Sequence, residues 1–81
     1  MEKKDILEKV QTIFRDILDN EDIVLSEMTT ANDIEEWDSL SHIQLIVAIE
    51  KAFGIKFTSY EVNSWIDMEE MLECIMKKLN K

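Results

Sequence analysis

Proline is absent from this sequence of 81 residues, and glycine occurs once, as Gly54. The tight hairpins of a small all-β protein depend on those residues for their turns, so helices become the default and an all-α fold is expected. Cysteine also occurs once. Cys74 can form no internal disulfide and offers no zinc-ligand spacing, which suits a reducing compartment and implies no structural metal. No apolar run approaches the roughly 20 residues needed to cross a bilayer, and the lysines near the start are followed by charge where a signal peptide carries an apolar core. A cytoplasmic location without membrane insertion is the expectation. Cations are scarce: 9 Lys and Arg stand against 18 Asp and Glu, a formal net charge of -9. That balance repels nucleic acid phosphates and anionic lipid and favours partners with basic surfaces. It also favours a monomer, there being no obvious coiled-coil heptads.

What is present belongs to a folded chain. Hydrophobic residues make up 46% and charged residues 33%, an ordinary globular balance. The length fits one domain, 1–81, which buries only about 60% of its unfolded surface and leaves little room for a deep active site. The acidity is concentrated: from Asp16 to Asp38 there are nine carboxylates and no Lys or Arg. Such a stretch serves either as a solvated face or as a steering surface.

Apolar residues at spacings of three and four, from Ile6 through Phe14 to Leu18, predict a helix over about Glu2 to Leu18. The stretch to Trp37 has scattered apolar residues without periodicity and reads as a long loop with apolar anchors, with room for a short helical turn around Asp33 to Glu36. A second helix should begin at Asp38-Ser39, where Asp38 can accept from first-turn amides, and run to Phe53, with Gly54 as its stop. Its apolar residues fall on more than one face, as expected of a helix packed between others. Thr58 and Glu61 make a capping box for a short third helix reaching about Ser64, and Asp67 with Glu70 repeats the signal for a fourth that ends around Lys77 and Lys78. Met68, Met71 and Met76 fall on the core stripe of that last helix, with passage of a flexible apolar chain between helices as a secondary possibility.

The informative segment runs from Trp37 to Gly54, since it sets the hydroxyl of Ser39 in the first turn of a capped helix just after the carboxylate-rich loop. An anion there sits near the positive end of the helix dipole, although the Asp38 carboxylate competes for the same amides. Taken alone, that placement is also what an ordinary first-turn serine shows.

Asp38-Ser39-Leu40 followed by a long apolar helix resembles the attachment motif of acyl and peptidyl carrier proteins. The order of long helix, long loop, Asp-Ser-Leu helix, short helix and final helix is similar to that family over nearly the whole chain. The resemblance implies an acyl-carrier-like four-helix bundle and a carrier rather than an enzyme. It implies that Ser39 receives 4'-phosphopantetheine from coenzyme A through a phosphopantetheinyl transferase, and that the arm's thiol holds acyl or aminoacyl cargo as a thioester. Asp38 corresponds to the acidic residue associated with the magnesium-dependent transfer step, and Leu40 to a contact for partner enzymes. Partner contacts are further expected at His42, Ile43, Glu35 and Glu36, with loading ligases or synthases and acyltransferases. The helix after Ser39 departs from the fatty acid synthase type: it carries Ser41, His42 and Gln44 where those carriers are more acidic, and its only acid before Gly54 is Glu50. That departure leaves room for a specialised carrier.

Other chemistries fit less well. His42 lies one helical turn beyond Ser39, but a hydrolytic pair lacks a Gly-rich nucleophile turn and an oxyanion donor set, which leaves a histidine at the surface or against a partner. Cys74 reads as a packing residue. The carboxylates lack the glycine and bidentate glutamate of a calcium loop. Trp37 and Trp65 read as anchors beside helix starts. The alternative from another class is an acidic helical interaction module without a prosthetic group.

Overall fold

The computed structural model describes residues 2–65 and 67–79, with only the backbone of Ala31 and Ser39. Four helices follow one another: α1 (Lys3–Ile17), α2 (Ser39–Phe53), α3 (Ser59–Ser64) and α4 (Met68–Leu79). The described residues contain no strand. Ile6, Val10 and Phe14 stand four residues apart on one stripe of α1 and are fully buried. They meet Leu45 and Ile49 of α2 and Met68, Met71, Leu72 and Ile75 of α4 in one core. Each such side chain contributes about 1.5–3 kcal/mol through removal from water, and together they fix α1 against both α2 and α4.

The helix ends follow local chemistry. α1 stops at Asp19, whose backbone is left-handed (φ 52°), and the Asn20 N–H reaches back to the Arg15 carbonyl at 3.0 Å, closing the last turn. α2 stops at Gly54 in the same conformation (φ 67°, ψ 38°). A Cβ at Gly54 would meet nothing within 4 Å, so substitution there strains only the backbone. Gly54→Ala is expected to destabilise the chain by about 1–2 kcal/mol. In urea denaturation the midpoint should fall with an unchanged slope, and Gly54→Asn, which tolerates this conformation better, should fall less.

The connection from α1 to α2 is held down at several points, while Val24 and Met28 stay exposed. Ile23, Leu25 and Ile34 plug into the core. Arg15 Nε donates to the Ile23 carbonyl at 2.7 Å, and Gln11 Oε1 accepts from the Leu25 N–H at 2.8 Å. The loop also caps α4: the N–H groups of Met68 and Glu69 donate to the carbonyls of Thr29 and Glu27 at 2.8 and 2.9 Å. Lys3 bridges the same region, 3.6 Å from Glu27 and 3.5 Å from Glu69. These bonds satisfy amides that a helix start leaves without intrahelical partners.

Two expectations are corrected. The short turn is a 3-10 helix at Ala31–Asp33, earlier than Asp33 to Glu36, because the Asp33 carboxylate accepts from the Thr30 N–H at 2.9 Å and closes the turn on that side. α2 is not packed on all its apolar faces: Leu40, Ile43 and Val47 are 69%, 63% and 43% exposed.

Candidate functional site

The start of α2 is a reciprocal cap. The Ser41 N–H donates to the Asp38 carboxylate at 2.9 Å, and the Asp38 N–H donates to Ser41 Oγ at 2.8 Å. The Ser41 hydroxyl also donates to the Glu36 carbonyl at 2.8 Å. The Ser41 N–H, first among the bonds it accepts, holds the Asp38 carboxyl below its usual value, so Asp38 is ionised at neutral pH. Ser39 is the first residue of α2. Its side chain, where the expected attachment point falls, lies outside the described part of the structure.

Around this start the expected site residues separate by role. Leu40 and Ile43 are exposed, as are Glu35 and Glu36, and Glu36 accepts from Asn20 Nδ2 at 2.7 Å. His42 is only half-exposed and is held by a neighbour: Trp37 Nε1 donates to His42 Nδ1 at 2.9 Å, and the two rings stack at 5.9 Å. An indole N–H can only donate, so Nδ1 accepts and the neutral ring carries its hydrogen on Nε2. Trp37 meets Phe14 of α1 edge-on at 4.9 Å, and His42 faces Trp65 at 6.5 Å, which in turn meets Phe57 at 5.0 Å. The two tryptophans are anchors, and their rings also line a groove.

The groove, about 770 Å³, opens between α2 and α3. Ile43, Ile46 and Val47 line it from α2, while the opposite side mixes the polar Thr58, Ser59 and Asn63 with the apolar Phe57, Val62 and Trp65. Among its described lining residues there is no Lys or Arg, whereas Asp38 and Asp67 both border it. The α3 wall buries none of its described residues and is secured by the box of Thr58 with Glu61 and by Lys78, 3.0 Å from Glu61. Glu50, the lone acid of α2, points away from any docking role: its carboxylate accepts from the Phe57 N–H at 2.8 Å and ties down the α2–α3 connection. Sequence reasoning missed the groove and the Trp37–His42 bond. The one signal for them was the clustering of Trp37, His42 and Trp65 beside helix starts.

Burial moves the His42 imidazole below its ordinary 6.5, so the unfolded chain takes up this proton first. The contribution of the neutral ring is therefore complete above about pH 6.5 and declines as the pH falls through that value. His42 is the sole histidine. Between pH 7.5 and 5.5 urea stability should fall for wild type and stay nearly level for His42→Gln; equal slopes would contradict the assignment. Cys74 is half-buried, and burial pushes its thiol up, which leaves it a poor nucleophile.

A capped helix start carrying Asp-Ser-Leu, next to a groove of mixed apolar and polar lining, defines a class. Residues 8–75 match the family described as Phosphopantetheine attachment site, and the chain belongs to that family. Within it the similarity is to acyl carrier proteins. That of Thermosynechococcus vestitus is 32% identical over 98% of both chains, and that of Cyanidium caldarium 33% identical over 96% of this chain and 91% of its own. The solution NMR structure of the holo acyl carrier protein from Geobacter metallireducens superposes with a TM-score of 0.87 at 40% identity, covering 93% of this chain and 86% of that one. The all-α carrier fold, the carrier function and the 4'-phosphopantetheine group expected from the sequence all follow from these matches. The chain is thus an acyl carrier that enzymes of acyl metabolism act upon, and not a catalyst. No described helix is long and apolar enough to cross a membrane.

Proposed function

We propose that Ser39 is the attachment point of the arm, within a single carrier domain spanning 1–81. The observation that supports it is the placement of Ser39 as the first residue of α2, between the capping carboxylate of Asp38 and the exposed Leu40. The groove fits the prosthetic group, a chain in which apolar segments alternate with amides, since its lining mixes apolar side chains with hydroxyl and amide groups. When bound, the arm supplies a thiol that carries acyl or aminoacyl groups as thioesters.

The residues of the chain have distinct duties in this reading. Asp38 holds the helix start and, ionised, serves the magnesium-dependent transfer from coenzyme A. Ser41 fixes Asp38 through the reciprocal cap. Leu40, Ile43 and Val47 form an exposed apolar row one helical turn apart, flanked by Glu35, Glu36 and Asp38. Partners therefore dock an apolar patch rimmed by basic groups: a phosphopantetheinyl transferase first, then a loading ligase or synthase and acyltransferases. A cytoplasmic monomer is the state this charge and composition favour. Because α2 holds no free acid row, the chain fits a dedicated pathway better than the general fatty acid synthase enzymes. The test is intact mass after incubation with coenzyme A, magnesium and a broad-specificity transferase: wild type gains one phosphopantetheine and Ser39→Ala gains none. No gain by wild type, with the transferase active on a control carrier, would favour an interaction module instead.

A further inference from the structure

The pair Trp37 and His42 is not explained by packing alone. Both side chains are half-buried and both line the α2–α3 groove, yet the bond between them uses only one edge of the imidazole. With Nδ1 accepting from the indole at 2.9 Å, the hydrogen sits on Nε2, and no described residue accepts from it. The ring cannot easily turn to offer the other nitrogen, because it is stacked on Trp37 with an interplanar angle of 29° and has Trp65 against it edge-on. Trp37 is itself set by Phe14, which is fully buried in α1. A neutral, oriented N–H donor is therefore built into the groove, three residues and one helical turn beyond Ser39.

The charge of the groove limits what that donor can meet. Asp38 and Asp67 border it, and no described Lys or Arg lines it, so an anion is disfavoured there and a neutral carbonyl is suited. The side facing α2 continues the same chemistry: among the described residues neither the Ser59 hydroxyl nor the Asn63 amide has a partner. The two positions stand four residues apart, on one face of α3.

We propose that His42, oriented by Trp37, is a positioning residue that donates its Nε2–H to an amide carbonyl of the phosphopantetheine arm and so draws the neutral, amide-bearing part of the arm into the α2–α3 groove. The phosphodiester stays outside, at the start of α2. This rests on the attachment of the arm to this chain, and on Ser39 as its anchor. The bond contributes what a neutral hydrogen bond contributes, a several-fold bias toward the docked arm. Asn63 and Ser59 offer their groups to the second amide.

The experiment compares apo and holo protein by isotope-filtered NMR, with the labelled chain carrying an unlabelled arm. Intact mass first establishes that one arm is attached; a failure at that step overturns the carrier reading, separately from this inference. In the holo protein the His42 ring and Asn63 should show cross-peaks to protons of the arm, and His42 Nε2 should shift. His42→Phe keeps a ring in the stack and removes the donor; it should attach the arm to completion and lose the cross-peaks to Asn63. Trp37→Phe, which keeps the ring against Phe14 but not the indole N–H, should weaken them, and His42→Gln, which restores a donor, should recover part of them. Holo spectra whose changes stop at residues 38–41, or cross-peaks to the groove that persist unchanged in His42→Phe, would overturn the proposal.

Discussion

Phe14→Ala should destabilise the fold by about 3–5 kcal/mol, the range for truncating a buried aromatic in a packed core. The residue is fully buried, and it lies where α1 meets both the loop before α2 and the core. Its ring also receives Trp37 edge-on at 4.9 Å, so the cavity opens directly beneath the residue that orients His42. Small domains are stable by only about 5–15 kcal/mol, so the variant should be close to its unfolding transition at 37 °C. Urea denaturation followed by circular dichroism reads the loss, and tryptophan fluorescence should shift to the red as Trp37 loses its packing. A loss under about 1 kcal/mol would mean that Phe14 is not the keystone of α1.

The opposite result is expected on the exposed side of α2. Leu40→Ser combined with Ile43→Ser should leave stability nearly unchanged, because the two side chains are 69% and 63% exposed and a surface substitution usually moves stability by no more than about 0.5 kcal/mol. The efficiency of arm attachment by a transferase, read as kcat/KM, should nevertheless fall about 30-fold or more, as when anchors of an interface are truncated. Salt separates this account from purely ionic docking. Glu50 is bonded to the Phe57 N–H at 2.8 Å, and α2 has no other acid before Gly54. The wild-type rate should therefore depend on ionic strength only through the rim of Glu35, Glu36 and Asp38. Full efficiency in the double variant would place docking on the acidic loop instead.

Much of this arrangement could be read along the chain because helix ends are local events. Asp38, Thr58 and Asp67 cap helices within three residues of themselves, and Gly54 is the one residue free to take the left-handed turn that ends α2. The stripes of α1 and α4 are equally legible, since spacing alone assigns Ile6, Val10 and Phe14 to one face. What the sequence hides depends on groups brought together from afar. Leu40 and Ile43 were legible as contacts only through the motif around Ser39, and Val47 looks like core until the fold leaves it uncovered. The carbonyls of Glu27 and Thr29 become caps for α4 only because the loop lies against it. The tie from the Phe57 N–H to Glu50, seven residues back, is equally invisible along the chain. His42 was legible as a residue near Ser39, but its tautomer is set by Trp37, and nothing in the spacing of those two residues announces a bond between them.

The central claim, that Ser39 bears the arm, is tested most directly by fragmenting the modified chain and locating the phosphodiester by tandem mass spectrometry. Ser39 and Ser41 lie two residues apart, and the Ser41 hydroxyl is engaged: it donates to the Glu36 carbonyl and accepts from the Asp38 N–H, both at 2.8 Å. Modification of Ser41 would break the cap of α2. The account predicts a single arm on Ser39, with Ser41→Ala still modified and Ser39→Ala not. An arm found on Ser41, or retained by Ser39→Ala, would contradict it.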